Sequence, residues 1–284
     1  MPILGSNALT LTDWGNRLDP NGKTAKITEI LTQQNSILEE MLWMEGNLPT
    51  GHKSTIRAGL PSAAFRKLNY GVKPSKSQTK QVTDVCGMLE TYCEIDKKLA
   101  DLNGNTSEFK LSESYAFTEA MSQRMAATLF YGNLADDEAA FTGLGVRYSR
   151  LTRENASFAD TSDYVINAGG TGSKCTSIWL PVFGENSIHG IFPKGSKAGL
   201  QMEDKGQVTL EDPEGGRYEG YRIHYAWEAG LAVRDFRQCV RIANIDTTSL
   251  ANVDLVGHIV DAVERIHNLS SGKAVMYANR QVLT

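Results

Sequence analysis

The residues best able to do chemistry in this chain are scattered, and each grouping lacks a member that its chemistry needs. Ala168-Gly169-Gly170-Thr171-Gly172-Ser173-Lys174 has the glycines of a phosphate-cradling loop. In such a loop, however, Lys directly follows the last Gly and precedes Ser or Thr, between a strand and a helix. Here Ser173 intervenes, and neither flank is clear. Gly195-Ser196-Lys197-Ala198-Gly199 is not a nucleophile elbow, which needs one residue between Gly and Ser. Ser77–Lys80 and Ser107–Lys110 match Ser-x-x-Lys, but without the Ser-Asp-Asn and Lys-Thr-Gly that accompany it in acyl transfer. The five histidines, His52, His189, His224, His258 and His267, never form His-x-x-x-His, so each reads as a surface or satisfied polar residue. Cys86, Cys93, Cys175 and Cys239 are too sparse for a disulfide framework and lack the close pairs of a zinc site. They read as buried or half-buried thiols in a reducing compartment. Asp136-Asp137-Glu138 reads as a solvated loop. No nucleophile, base and oxyanion donor come together, so no catalytic residue, cofactor or metal is expected. The chain reads as non-enzymatic, with features that concern shape and association.

The elements that would position such residues belong to an ordinary globular chain. At 284 residues, a prior of about two domains applies. With 41% apolar and 22% charged residues, disorder, collagen and coiled coil fail as whole-chain descriptions. No stretch approaches the ~20 apolar residues needed to span a bilayer, and the start has no basic region leading into an apolar run.

Charge is unevenly placed. Between Gly46 and Val82 there is no Asp or Glu, while Lys53, Arg57, Arg66, Lys67, Lys73, Lys76 and Lys80 give +7. The remainder must therefore carry −11 to reach the chain's formal −4. Such a segment can be a nucleic-acid arm, a solvated loop, or an arm that docks on the acidic body of an identical neighbour. Its apolar residues, with Leu48, Ile56, Phe65, Leu68 and Tyr70 as anchors, are too many for a freely solvated tail. Its prolines and glycines are too frequent for a helix. An extended hairpin-like arm remains, and a lone two-stranded ribbon is marginal in water. It needs another surface, which favours docking on a second subunit.

Along the chain, residues 1–23 read as an irregular arm. A helical pattern then opens at Thr24 with Ile27, Ile30, Leu31, Leu38, Met41 and Leu42. Val82–Asp96 reads as a long strand. A helix from Thr106 or Ser107 to about Tyr131 carries Leu111, Tyr115, Met121, Met125 and Leu129 on one face. Ile178–Phe183 and Ile188–Phe192 read as a hairpin. A second hairpin turns at Asp212-Pro213-Glu214-Gly215-Gly216, and its return strand alternates Tyr221, Ile223, Tyr225 and Trp227 against Arg222, His224 and Glu228. Gly230 should break that strand, with Leu231–Ile245 as the next. A last helix carries Leu255, Ile259, Val263 and Ile266, and Ala274–Tyr277 is a short strand. The order argues for α+β.

Three blocks carry a resemblance. The first is Glu45-Gly46-Asn47-Leu48-Pro49-Thr50-Gly51-His52 through Phe65-Arg66-Lys67-Leu68-Asn69-Tyr70-Gly71-Val72. The second runs from Asp101-Leu102-Asn103-Gly104-Asn105 through the long helix to Phe130-Tyr131-Gly132-Asn133. The third runs from Ser177-Ile178-Trp179-Leu180 through Phe192-Pro193-Lys194-Gly195-Ser196-Lys197-Ala198-Gly199-Leu200 and Gly230-Leu231-Ala232-Val233-Arg234-Asp235 to Arg241-Ile242-Ala243-Asn244-Ile245-Asp246. Together they resemble the major capsid proteins of tailed bacteriophages, especially short-tailed ones.

The resemblance implies a Hong Kong 97-like fold. Residues 1–45 would be the N-arm and first helix, and 46–84 the extended E-loop. Residues 85–150 would be the peripheral domain with its spine helix at about 107–131. The β-rich remainder, 151–284, would be shared between peripheral and axial domains. It implies an icosahedral head subunit that self-assembles into pentamers and hexamers around double-stranded DNA, in a virion put together in the host cytoplasm. Partners would be other copies of the chain, portal, scaffolding and decoration proteins, and packaged DNA held non-specifically, with no membrane. Family members usually continue past the equivalent of Thr284, so further chain or another subunit is expected there. The alternatives are an encapsulin-like compartment shell, a nucleic-acid-binding module using 46–82, and a hydrolase whose site is assembled from distant residues.

Overall fold

A computed structural model describes residues 35–104, 106–153, 160–212, 214–250 and 253–283. The irregular arm expected at 1–23, and most of the helix expected from Thr24, lie outside the described residues. In chain order the elements begin with helix α1 (Ser36–Glu40) and strands β1 (Trp43–Glu45), β2 (Gly51–Gly59) and β3 (Gln78–Asp96). Helices α2 (Lys97–Asp101), α3 (Thr106–Tyr131) and α4 (Leu144–Arg147) follow. Then come β4 (Val165–Asn167), β5 (Cys175–Phe183), β6 (Ile188–Phe192), β7 (Gln201–Glu211), β8 (Arg217–Val233) and β9 (Cys239–Asp246). Helix α5 (Leu255–Arg265), β10 (Lys273–Ala274) and a one-turn helix α6 (Arg280–Leu283) complete the series. The composition is α+β, as the element order anticipates.

The chain divides into two compact units. One holds 88–127 and 199–228 with the described residues up to 38; the other holds 39–87, 128–198 and the residues from 229 onward. In the first unit, β7 and β8 form the long antiparallel hairpin expected, from Gln201↔Ala226 to Glu211↔Arg217. Ile223, Tyr225 and Trp227 are buried on one face of β8. On the other face Arg222 meets Glu94 at 2.7 Å and His224 meets Glu90 at 3.2 Å. Asp96 caps α2 by accepting from the N–H groups of Lys98 and Leu99, which turns the chain out of β3.

The buried face of α3 is not the expected one throughout. Phe109, Glu113, Met121, Met125 and Leu129 are buried, whereas Leu111 and Tyr115 are exposed. Two residues along a helix are about 200° apart, so a helix seated through 109 and 113 must turn 111 and 115 outward. The Tyr225 ring stacks on Phe117, with centroids 5.8 Å apart, and its hydroxyl donates to Ser114 at 2.9 Å.

In the second unit, β9 lies between antiparallel β5 and parallel β4. The apolar side chains of these strands, Ile166, Ile178, Leu180, Val182, Val240, Ile242 and Ile245, form one cluster with Ala262 and Ile266. Helix α5, capped by Asp254, adds Leu255 and Ile259 to that cluster. Val263, expected inside, points outward beside Val256 and Val260, because the seam runs through Ala262. Around Trp179 sit Phe130, Tyr131 and Tyr148, with the Arg241 guanidinium 4.9 Å from the Trp179 ring centre.

Two strand expectations fail for identifiable reasons. β5 and β6 do not form a hairpin; they share a single parallel bridge, Phe183↔Ile188. Both edges of β5 are taken, one by β9 and the other by β10, through Lys273↔Phe183 and Ala274↔Val182, with Tyr277 opposite Trp179. β6 instead pairs antiparallel with β8 and parallel with β1.

Nor does Gly230 break β8, which continues to Val233 before a 3-10 turn at Phe236–Gln238. Gly230 is there for close approach: a Cβ would fall 2.7 Å from the Val85 carbonyl oxygen and 3.1 Å from the Ile191 side chain. Gly230→Ala is therefore expected to cost about 1–3 kcal/mol through overpacking. A urea titration checks this, and an unchanged midpoint would show that the strands yield freely.

Candidate assembly interface

The cationic segment forms a two-stranded arm. β2 and β3 pair from Gly51↔Val85 to Gly59↔Gln78, with a register shift between Arg57 and Gly59. β3 thus begins four residues earlier than expected. Between the strands, every residue from Leu60 to Ser77 is exposed. Phe65 is 107% and Leu68 82% exposed, and Tyr70 is also well exposed. Arg66, Lys67, Lys73 and Lys76 lie on this tip, Lys53 and Arg57 on the exposed face of β2, and Lys80 on β3. The seven cations and the exposed Phe65, Leu68 and Tyr70 thus lie on one two-stranded element. Leu48 and Ile56 differ from these: both are half-buried, Leu48 at the root and Ile56 on the inner face of β2.

The root is built more tightly than its sequence suggests. Asn47 donates from Nδ2 to the Lys53 carbonyl at 2.8 Å and accepts from the Lys53 N–H on Oδ1 at 2.7 Å. The N–H of Gly46 donates to Phe192 O, and that of Lys194 to Leu48 O, which ties the root to the end of β6. At Gly51 a Cβ would fall 2.0 Å from the Asp84 carbonyl oxygen, so only glycine lets β2 come this close to β3.

Beneath this turn, Arg147 donates from Nη2 to Asp84 Oδ1 at 2.7 Å and to Leu231 O at 3.0 Å. The Asp84 side chain is almost fully buried, and Arg147 is largely so. His52 lies directly across the ladder from Asp84. Its Nε2 is 3.0 Å from Arg234 Nη2, and its ring meets His189 edge-on at 6.1 Å.

The expectation that His52 and His189 are surface or satisfied groups is thus overturned. Both are buried, and His52 Nδ1 and both ring nitrogens of His189 have no hydrogen-bond partner. Burial chiefly, with Arg234 adding to it, lowers the pKa of His52 against a smaller opposite pull from Asp84. Burial, Arg234 and His52 push His189 down to about 4, against a small opposing contribution from the Gly184 backbone. Sequence reasoning missed Asn47, His52, Asp84, Arg147, His189 and Arg234. They are brought together from five parts of the chain, and no local spacing marks them.

The groups considered for catalysis stay apart. The glycine-rich segment 168–174 leads into strand β5, not a helix, so no helix N-terminus faces it. Cys93 and Cys239 are buried and Cys86 and Cys175 half-buried, all as free thiols. An open cleft in the first unit is lined by Asp96, Lys97, Asp101, Tyr218 and Glu219 among others. Its polar groups are committed to structure: Asp96 caps α2, Lys97 donates to Gln207, Asp101 accepts from Thr106, and Glu219 accepts from Gln207 and Thr209. Among the described residues, no group of three or more His, Cys, Asp or Glu is placed to hold a metal ion, and no helix is long and apolar enough to cross a membrane.

Comparison with known proteins agrees with an assembly role. The family model described as major capsid protein GP7 matches residues 19–284. A chain in the structure of bacteriophage Epsilon15 is 33% identical, covers 99% of this chain and 85% of its own length, and superposes with a TM-score of 0.79. The capsid of a native GTA particle is similar at 12% identity, 81% and 96% coverage, and a TM-score of 0.53. An encapsulin, from the holo-SrpI complex of Synechococcus elongatus PCC 7942, is similar at 12% identity, 84% and 97% coverage, and a TM-score of 0.50. No curated protein sequence matches. The two distant likenesses bear on the fold alone, and that fold is Hong Kong 97-like.

Proposed function

Because the chain belongs to the family of major capsid protein GP7, we propose that its cationic arm is the device by which one copy holds the next. The chain is a structural subunit of a phage shell and belongs to the virion head. The proposal concerns how the shell is held. One observation carries it: residues 60–77 place Phe65, Leu68 and Tyr70 in water among four cations, with every residue of the tip exposed. Exposed apolar groups rimmed by charge mark a surface meant for a partner.

A complementary surface exists on the first unit. On the outer face of β3, Met88 (70% exposed) and Tyr92 alternate with Glu90 and Glu94. The neighbouring strands add Glu203, opposite His224, and Glu228 on the same side. Glu94 pairs with Arg222, Glu203 with Lys205 and Glu90 with His224, and the face carries more acidic than fixed basic side chains around an apolar stripe. The arm of a second copy carries the matching pattern. Exposed ion pairs are each worth only about 0–1 kcal/mol, so the docking draws its strength from apolar burial and from repetition around a closed shell. In this reading the copies form pentamers and hexamers around double-stranded DNA, with assembly in the host cytoplasm and portal, scaffolding and decoration proteins as further partners.

Changing Phe65 and Leu68 to Ser should leave the urea midpoint of the isolated chain unchanged, since neither is packed. Shell yield in electron micrographs should fall severely. Met88→Glu should give the same pair of results from the receiving side. Full shell yield from both variants would overturn the proposed docking.

A further inference from the structure

The root of the arm concentrates unpaired polarity. Buried side-chain atoms without a hydrogen-bond partner include His52 Nδ1, Ser54 Oγ, Asp84 Oδ2, Arg147 Nε and both ring nitrogens of His189. These six are more than half of all such atoms among the described residues. Ser54 shares the inner face of β2 with His52, and Asp84 is the cross-strand partner of His52. Unpaired buried groups are costly, and in a native structure each calls for an explanation.

The charged neighbours of this cluster come from every element that packs on it. His52 on β2 is met by Asp84 of β3, by Arg234 just after β8, and by His189 of β6. His189 is met by Arg234 and His52, with the Gly184 backbone beside it. Asp84, the one carboxylate facing the pair, is already engaged by Arg147. A proton entering either ring would therefore arrive beside an arginine, and the one nearby carboxylate already shares its charge with Arg147, so its pull on His52 is the smaller effect. The contact between His52 Nε2 and Arg234 Nη2 adds a stricter condition. A guanidinium only donates, so Nε2 must accept, and a protonated imidazole has no acceptor.

We infer that this cluster is a proton-operated latch: neutral histidines hold the arm at its root, and acidification releases it. Protonating His52 removes its hydrogen bond to Arg234 and sets two cations 3.0 Å apart. Protonating His189 places a charge where burial is complete. The closed root excludes these protons, and an opened root takes them up in water. The sign follows from linkage: a histidine held near 4 when closed and near 6.5 when free favours the open state as pH falls through that interval. For His189 alone, opening at pH 5.0 is favoured about 30-fold over pH 7.5 by this relation, and His52 adds to it in the same direction.

Hydrogen–deuterium exchange of the full-length, unassembled chain at pH 7.5 and 5.0, corrected for intrinsic exchange, tests the latch without depending on how the arm docks. Peptides spanning 47–58 and 79–87 should open at least about 30-fold more at pH 5.0, while β5 and β9 keep their protection. His52→Gln, which retains an acceptor for Arg234, combined with His189→Met, should abolish the response and stay closed at pH 5.0. No change in the wild type, equal loosening of β5 and β9, or a pH response that survives in the double variant would each overturn the latch. Should that variant not fold, imidazole NMR titration of the wild type decides. Rings that stay neutral until the root amides lose protection support the latch, and a ring that protonates near pH 6.5 under a protected root overturns it.

Discussion

Replacing Arg66, Lys67, Lys73 and Lys76 together by Glu is expected to abolish shell formation while the chain itself stays folded. All four are exposed on the arm tip, and none pairs with a carboxylate among the described residues, so the isolated chain has little to lose. The segment's charge turns from +7 to −1. Against a face carrying Glu90, Glu94, Glu203 and Glu228, weak attraction becomes repulsion, and opposing like charges at an interface costs several kcal/mol. Each subunit of a shell suffers it. Sedimentation and electron microscopy of assembly reactions, with circular-dichroism melts of the same samples, read both halves of the expectation. Wild-type shells from the reversed arm would refute the docking. Normal shells that no longer hold DNA would point to the nucleic-acid reading of 46–82.

The second large effect lies under the arm. Asp84→Ala should destabilise the chain by about 3–5 kcal/mol, because it strands the buried Arg147 guanidinium without its carboxylate. The loss belongs to the orphaned charge more than to the pair. Asp84→Leu combined with Arg147→Met should therefore cost far less than Asp84→Ala alone, since apolar groups of similar volume can replace a buried ion pair at little net cost. Chemical denaturation of the two variants compares them directly. If the double change costs more than the single one, the polar network at the root contributes stability in its own right.

Local pattern reached a good part of this molecule. The helix Thr106–Tyr131, the turn between β7 and β8, and the alternation from Tyr221 to Trp227 depend on near neighbours in the chain, and all are found. The failures share one cause, a distant segment. Periodicity finds a helix but not which side will be covered: it puts Leu111 and Tyr115 on the packed face, whereas Phe109 and Glu113 take that place. Neighbouring strands usually pair, but β10 arrives from ninety residues later to take the edge of β5. Gly230 reads as a breaker until β3 is seen against it.

The candidate site divides in the same way. The cations and aromatic residues of the arm tip stand next to one another in the chain, and net charge is a sum over neighbours. Their concentration on an anionic body, and with it the case for an association module, was therefore set by the amino-acid order alone. The root is different. Asp84, Arg147, His189 and Arg234 lie far apart in sequence, and each is unremarkable in its own surroundings. Burial, a missing hydrogen-bond partner and a depressed histidine are properties of the space around a group, and only the folded chain creates that space.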